Sequence, residues 1–246
     1  MRIRTFQISA FLIACSLGAP CLGAQSSERS NAGTTAGSGP AGGIPSPFAG
    51  GPWVTGVNVW AGAAVQTRTA SHNELFDGSL TLVGVQLTRS LFERGGVHFT
   101  WIVEALPVML VTSGAPANRV PTIARDPVEA SDPKRLARYA MHDSYGIGLA
   151  PLSAEASRVI AGHVRGVFTV TSGGALFTHV VPYGKATWAN FSVSPALSLE
   201  WQSRTGQTIS AGYTLHHLSN MSFGAANPGM NSHVFFMRVG RPRNFR

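Results

Sequence analysis

The stretch Asn190-Phe191-Ser192-Val193-Ser194-Pro195-Ala196-Leu197-Ser198-Leu199-Glu200-Trp201-Gln202 decides the fold. One set of alternate positions holds Phe191, Val193, Pro195, Leu197, Leu199 and Trp201, while the other holds Asn190, Ser192, Ser194, Ala196, Ser198, Glu200 and Gln202. A period of two sustained over this length belongs to an extended strand with two unlike faces, and no helix can produce it. The pattern returns just downstream, where Ile209, Ala211, Tyr213 and Leu215 alternate with Thr208, Ser210, Gly212, Thr214 and His216. Working outward from this pair, alternation predicts eight strands, at about 53–64, 79–91, 97–108, 144–152, 162–172, 189–202, 207–219 and 231–240, the fifth being the least regular.

Short connections are expected after strands two, four and six, at 92–96, 153–158 and 203–206, and longer ones after strands one, three, five and seven, above all Met109 to Asp143. A soluble sandwich or lipocalin-like barrel would turn the apolar face inward. An outer-membrane barrel turns it toward lipid and keeps a polar lumen. The strand lengths suit a tilted membrane crossing. Ser, Gly, Ala and Thr on the polar faces suit the narrow lumen of eight strands. The loop rhythm matches short periplasmic turns and long external loops, and Phe191 and Trp201 could mark two aromatic girdles. The fold expected is therefore all-β: an eight-stranded antiparallel outer-membrane β-barrel.

Composition agrees. Charged residues make up 12% of the chain, about half the usual ~25%, and hydrophobic residues an ordinary 44%. The longest apolar run, Phe99 to Val111, is broken by Glu104 and Pro107, which excludes a spanning helix. Residues 1–24 read as a signal peptide, with Arg2 and Arg4 before the apolar stretch Ile8 to Leu17 and small residues up to Ala24. A lipoprotein box at Leu12-Ile13-Ala14-Cys15 is the second choice. Residues 25–51, rich in Ser, Gly, Ala, Thr and Pro, read as a flexible linker, and 52–246 as the barrel domain. Both cysteines, Cys15 and Cys21, precede Ala24, so a cut there leaves no thiol for a disulfide, nucleophile or metal. The net charge of +8 is scattered except for Arg238, Arg241, Arg243 and Arg246. That is not the patterned patch of a nucleic-acid binder, so no nucleic-acid partner is expected; solvated loops and termini account for the charge.

One constellation carries chemistry: His217-Leu218-Ser219-Asn220, followed by Asn227-Pro228-Gly229-Met230-Asn231. His217 and Ser219 stand two apart on a strand and so share a face, as a Ser/His nucleophile pair requires. That face also bears Ile209, Ala211, Tyr213 and Leu215. If the N-terminus is periplasmic, strand seven ends at the external rim, and the pair lies outside the barrel wall at the depth of the outer leaflet. Polar side chains are expensive there unless they serve something in the membrane. In Gram-negative cells that leaflet is lipopolysaccharide, whose lipid A carries ester-linked acyl chains.

The chain resembles the outer-membrane lipid A 3-O-deacylase family and its acyloxyacyl-hydrolase-type relatives. The residues that carry the likeness are Tyr145-Gly146-Ile147-Gly148-Leu149-Ala150-Pro151-Leu152, Gly173-Gly174 with Val181-Pro182, Asn190-Phe191, and above all His216-His217-Leu218-Ser219-Asn220 with Asn227-Pro228-Gly229. The resemblance implies Ser219 as nucleophile, His217 as general base, Asn227 as oxyanion donor, and Asn220 and Gly229 as support. The family places a glutamate twelve residues after the serine to orient the histidine; this chain has Asn231 there, and no Asp or Glu from Trp201 to Arg246. An asparagine orients an imidazole without stabilising the imidazolium as a carboxylate does; an Asp-to-Asn change in a serine protease costs about 10⁴ in rate, partly through the wrong tautomer. A carboxylic ester hydrolase of reduced rate is expected, acting on membrane-embedded lipid A, with no cofactor and no metal. A homodimer is left open. The competing readings are a non-catalytic structural or adhesion barrel and a soluble lipocalin-like carrier.

Other candidates carry less. Glu104 and Glu200 fall on lumen faces and are expected to pair with basic side chains such as Arg89 or Arg165 inside the barrel. His72, His98, His142, His163, His179 and His233 lack metal-ligand spacing. Gly173-Gly174 is a turn or strand glycine pair with no helix after it to make a phosphate loop.

Overall fold

A computed structural model describes residues 54–69, 78–113, 142–184, 186–225 and 227–240. Eight antiparallel strands follow one another around a closed ring: β1 Gly56–Thr69, β2 Gly78–Arg94, β3 Val97–Ser113, β4 Ser144–Ala161, β5 Val164–Val181, β6 Thr187–Gln202, β7 Thr208–Ser219 and β8 Met230–Gly240, with β8 closing on β1. Closure leaves no unpaired edge. Residues 1–51, expected to be signal peptide and linker, and Trp53, His72, Arg241, Arg243 and Arg246 lie outside the described residues.

The strands run from 11 to 18 residues, more than a tilted crossing needs. The short connections after β2 and β6 fall where expected. The one after β4 does not: Ser153 to Arg158 is strand, and the chain turns instead at Gly162 and His163. Gly162 takes the positive φ of +49° that such a turn uses. The small residues of Leu152-Ser153-Ala154-Glu155-Ala156-Ser157 imitate a loop in composition, yet Ser153, Glu155 and Ser157 all point into the barrel. β5 likewise continues beyond residue 172, through Gly173-Gly174 to Val181.

The faces are inverted relative to a soluble protein. Phe191, Leu197, Leu199 and Trp201 of β6 are exposed, while Asn190, Ser192, Ser194 and Glu200 of the same strand are buried. Leu197, at mid-strand, is 63% exposed. Burial of polar residues beneath an apolar exterior is the pattern lipid requires.

The lumen has two halves. Toward the short turns it is polar and centred on Arg238, which is 3% exposed. Its guanidinium lies 2.9 Å from Glu155 and 3.1 Å from Glu200, and donates to Ser210 at 3.0 Å. Arg238 thus belongs to the lumen and not to a solvated terminal cluster, because alternation along β8 carries Val234, Phe236 and Arg238 inward. It is also the basic lumen side chain that pairs with Glu200, where Arg89 and Arg165 were the examples expected. Glu104 is held differently, accepting from the Trp60 indole and the Gln86 amide, each at 2.8 Å. The indole reaches it across Gly84, where an added Cβ would sit 2.1 Å from Trp60 Nε1.

Toward the long loops the lumen is an apolar plug of Leu80, Leu82, Leu106, Met109, Val111, Phe177, Leu218, Met230 and Val234. A uniformly polar interior is therefore not what the barrel contains: the strand ends that carry the long loops are packed from within by a dry core. A bulge in β1 between Ala64 and Gln66 keeps the inside–outside sense there. Beyond it Thr67 points inward to Ser232, 3.1 Å away, and Arg68 stands on the outer wall by alternation.

Candidate active site

β7 ends at the long-loop rim, and its last inward side chain, Leu218, is packed in the apolar plug opposite Met230 of β8. The outward neighbours of Leu218 are His217 and Ser219, about 7 Å apart along the strand. Burial of Leu218 fixes the sense of the alternation, so both polar side chains must face outward, as the sequence pattern predicts.

Register supplies the third group. His217 is the cross-strand partner of Asn231, and its Nδ1 lies 2.6 Å from the Asn231 side-chain oxygen. An amide oxygen only accepts, so Nδ1 carries the proton and the lone pair resides on Nε2, the nitrogen a general base needs free. Nothing in the twelve-residue separation of Ser219 and Asn231 shows this contact; the pairing of β7 with β8 creates it.

The turn after Ser219 is built around Asn227. Its side-chain oxygen accepts the Ser219 hydroxyl at 3.1 Å and the Asn220 backbone N–H at 3.2 Å. The oxygen end of Asn227 is thereby committed, which leaves only its amide nitrogen to act as a donor. Asn220 is buried, and its side-chain oxygen accepts the Ser222 N–H at 3.0 Å while its carbonyl accepts the Phe223 N–H at 2.9 Å. Met221 donates its N–H to Ser219 Oγ at 3.2 Å. Met221 and Ser222 both occupy the left-handed region, at φ of 48° and 67°, a conformation that costs of order 1–3 kcal/mol per non-glycine residue. Gly229 takes φ +56° without that cost. This strained pair was not legible in the sequence, since neither residue is a type that favours such a backbone.

The surroundings of the pair differ on its two sides. On the β6 side Ser219 faces Phe191 and His217 faces Val193. Phe191 and Phe223 rings lie 6.1 Å apart, at one edge of an apolar groove of about 600 Å³ whose other walls include Ile147, Leu149, Leu176 and Trp188. On the β8 side the neighbours are polar. The Tyr213 hydroxyl and His233 Nδ1 are 2.7 Å apart on the outer wall, a pair that the scattered positions of the histidines in the sequence did not suggest. The lumen holds a second histidine–serine contact, His216 Nδ1 to Ser194 Oγ at 2.6 Å, but both residues are buried, beyond the reach of a membrane lipid.

Residues 139–239 match the family model described as lipid A 3-O-deacylase (PagL). Several solved structures are similar to the chain, two of them as follows. The crystal structure of the outer membrane enzyme PagL has a TM-score of 0.47 at 14% identity, covering 74% of this chain and 97% of that one. The crystal structure of Neisserial surface protein A (NspA) has a TM-score of 0.38 at 8% identity, covering 75% of this chain and 96% of that one. No curated protein sequence matches the chain.

Proposed function

Residues 139–239 match the lipid A 3-O-deacylase (PagL) family model, and we propose that the protein is an outer-membrane esterase that removes an ester-linked acyl chain from lipid A. The observation that carries the reading is the 2.6 Å contact of Asn231 with His217 Nδ1 on the lipid-facing wall. It orients an imidazole two residues along the strand from Ser219, at the long-loop rim, where this reading sets the pair against the ester region of outer-leaflet lipid.

In this mechanism the Ser219 hydroxyl turns from Asn227 toward His217 Nε2. Oγ attacks the ester carbonyl as Nε2 takes its proton, and the tetrahedral oxyanion is met by the Asn227 amide and by backbone N–H groups of the strained turn. Collapse breaks the bond to the sugar oxygen, which leaves with the proton from Nε2. Water then attacks the acyl-serine, His217 accepts its proton and returns it to Ser219 Oγ, and the free fatty acid departs. The groove between Phe223, Phe191 and Trp188 supports this reading, because it offers the departing chain an apolar bed beside the nucleophile.

Asn231 stabilises the imidazolium less than a carboxylate would, so turnover is expected to be slow. The resting hydrogen bond from Ser219 to Asn227 favours the second reading, a barrel that keeps the motif as scaffold. Mass spectrometry of lipid A from cells expressing the full chain decides between them. The enzyme shifts lipid A by one acyl chain and releases fatty acid, and the Ser219→Ala protein does neither. Identical lipid A from both, with the barrel inserted, leaves the scaffold reading.

A further inference from the structure

The outer wall beside the His217–Ser219 pair is polar on one side only. Register places Arg68 of β1 directly beside Asn231 of β8, which in turn stands beside His217 of β7. One row deeper, Gln66 lies beside His233, whose imidazole meets the Tyr213 hydroxyl. Arg68, Gln66, Asn231, His233 and Tyr213 thus form a polar strip over β1, β8 and the near edge of β7, whereas the β6 residues beside His217 and Ser219 are Val193 and Phe191. Polar groups on a lipid-facing wall are costly, increasingly so with depth, unless a polar partner covers them. A lipid lying across Ser219 has one polar end and one apolar end. The asymmetry therefore orients it, with the headgroup over β8 and β1 and the acyl chain over β6.

Arg68 is the only Lys or Arg on the outer wall among the described residues of β1, β7 and β8. A guanidinium presents a planar fork of donors that matches a phosphate. We infer that Arg68 is a specificity-determining contact for a phosphate group on the sugar headgroup of the lipid substrate. The inference rests on the deacylase reading for the identity of the lipid, but its test does not require turnover. The β1 bulge is part of the device. Were Val65 paired in regular register instead of bulged, alternation from Ala64 would turn Arg68 inward.

The experiment is a binding measurement on the full chain carrying Ser219→Ala, in detergent micelles, with bisphosphorylated lipid A and with the same lipid A after phosphate removal. The Ser219→Ala protein is expected to prefer the phosphorylated lipid by about ten- to hundredfold, the range of a charge-assisted bidentate contact. Adding Arg68→Gln should erase the preference, and Arg68→Lys should restore part of it, which also provides a folded comparison if the Gln variant inserts poorly. In the Ser219-containing protein, the ratio of kcat/KM for the two lipids should fall in parallel with Arg68→Gln. A preference that survives Arg68→Gln, or no preference with Arg68 present, overturns the assignment. So does competition by phosphatidylglycerol as effective as that by lipid A, since Arg68 would then be a general contact for anionic lipid surfaces. Absence of fatty-acid release by the Ser219-containing protein defeats the deacylase reading alone and leaves the binding result to decide Arg68.

Discussion

The lumen and the outer wall both hold polar groups where a barrel of this size has little room for them, but they treat them in opposite ways. Inside, Arg238 is enclosed by Glu155, Glu200 and Ser210, and Glu104 by Trp60 and Gln86. These groups are locked by neighbours that are themselves buried. Outside, His217 is fixed through one nitrogen by Asn231, and the Ser219 hydroxyl rests on a turn that contains two left-handed non-glycine residues. One nitrogen and one hydroxyl face the membrane with capacity to spare. A polar group tied to buried neighbours holds a fold together, and one left partly open on a costly surface is available for chemistry.

The sharpest way to break this comparison is at the outer pair. Ser219→Ala and His217→Ala should each lower ester hydrolysis by about 10⁴-fold or more, and the double variant should lose little beyond either one, as residues acting as a unit do. Heat-modifiable migration of the barrel on a gel should stay as in wild type, because neither side chain enters the lumen. A loss of migration together with activity would mean that the outer pair is structural after all.

Arg238→Ala should do the reverse. Removing the guanidinium takes the Arg238 charge away from the buried Glu155 and Glu200, and breaking a buried pair in this way costs about 3–5 kcal/mol. Unfolding in urea from detergent or lipid should show that loss, with hydrolysis per folded molecule retained. Unchanged stability would show that the charge cluster is not the keystone of the polar half of the lumen.

Next in size is the wall itself. Leu197→Arg puts a charge on the lipid face at mid-strand and should cost ~2–4 kcal/mol. Ser198→Arg points the other way, into a lumen where Gly212 already packs without a Cβ against Ser198 and Phe236, and should cost about 1–3 kcal/mol by overpacking. Spin labels at the two positions should report lipid at 197 and exclusion from lipid at 198. Lipid accessibility at 198 instead of 197 would invert the barrel.

The smallest effect is expected at Asn231. Asn231→Ala removes one hydrogen bond to His217 and should slow hydrolysis about tenfold, in line with the ~1 kcal/mol scale of such a bond. Asn231→Glu should preserve or raise the rate, since a carboxylate also stabilises the imidazolium. A rate indifferent to both would place the orienting group elsewhere.

How far the sequence reaches is clearest along β6 and β8. The unbroken alternation of Phe191 to Trp201 identifies both the strand and its two faces, because a pleated backbone sends successive side chains to opposite sides whatever surrounds it. Ser153 to Arg158 misleads, because small polar residues suit a loop and a crowded lumen equally well. Arg238 reads as one of four terminal arginines, although counting inward positions from Val234 would have placed it in the lumen.

By itself, then, the sequence determined the number of strands, the exchange of apolar and polar faces, and the common face of His217 and Ser219, all of which follow from local periodicity. The family resemblance pointed to Asn231 as the partner of His217, but only the tertiary structure supplied the contact itself, and it alone decided that Glu155 and Glu200 share Arg238, that the loop-side half of the lumen is apolar, and that Arg68 joins the row of His217. Each of these depends on strand register and on ring closure between β1 and β8. Register is set by how side chains from distant strands fill one interior, and no window of sequence contains that interior.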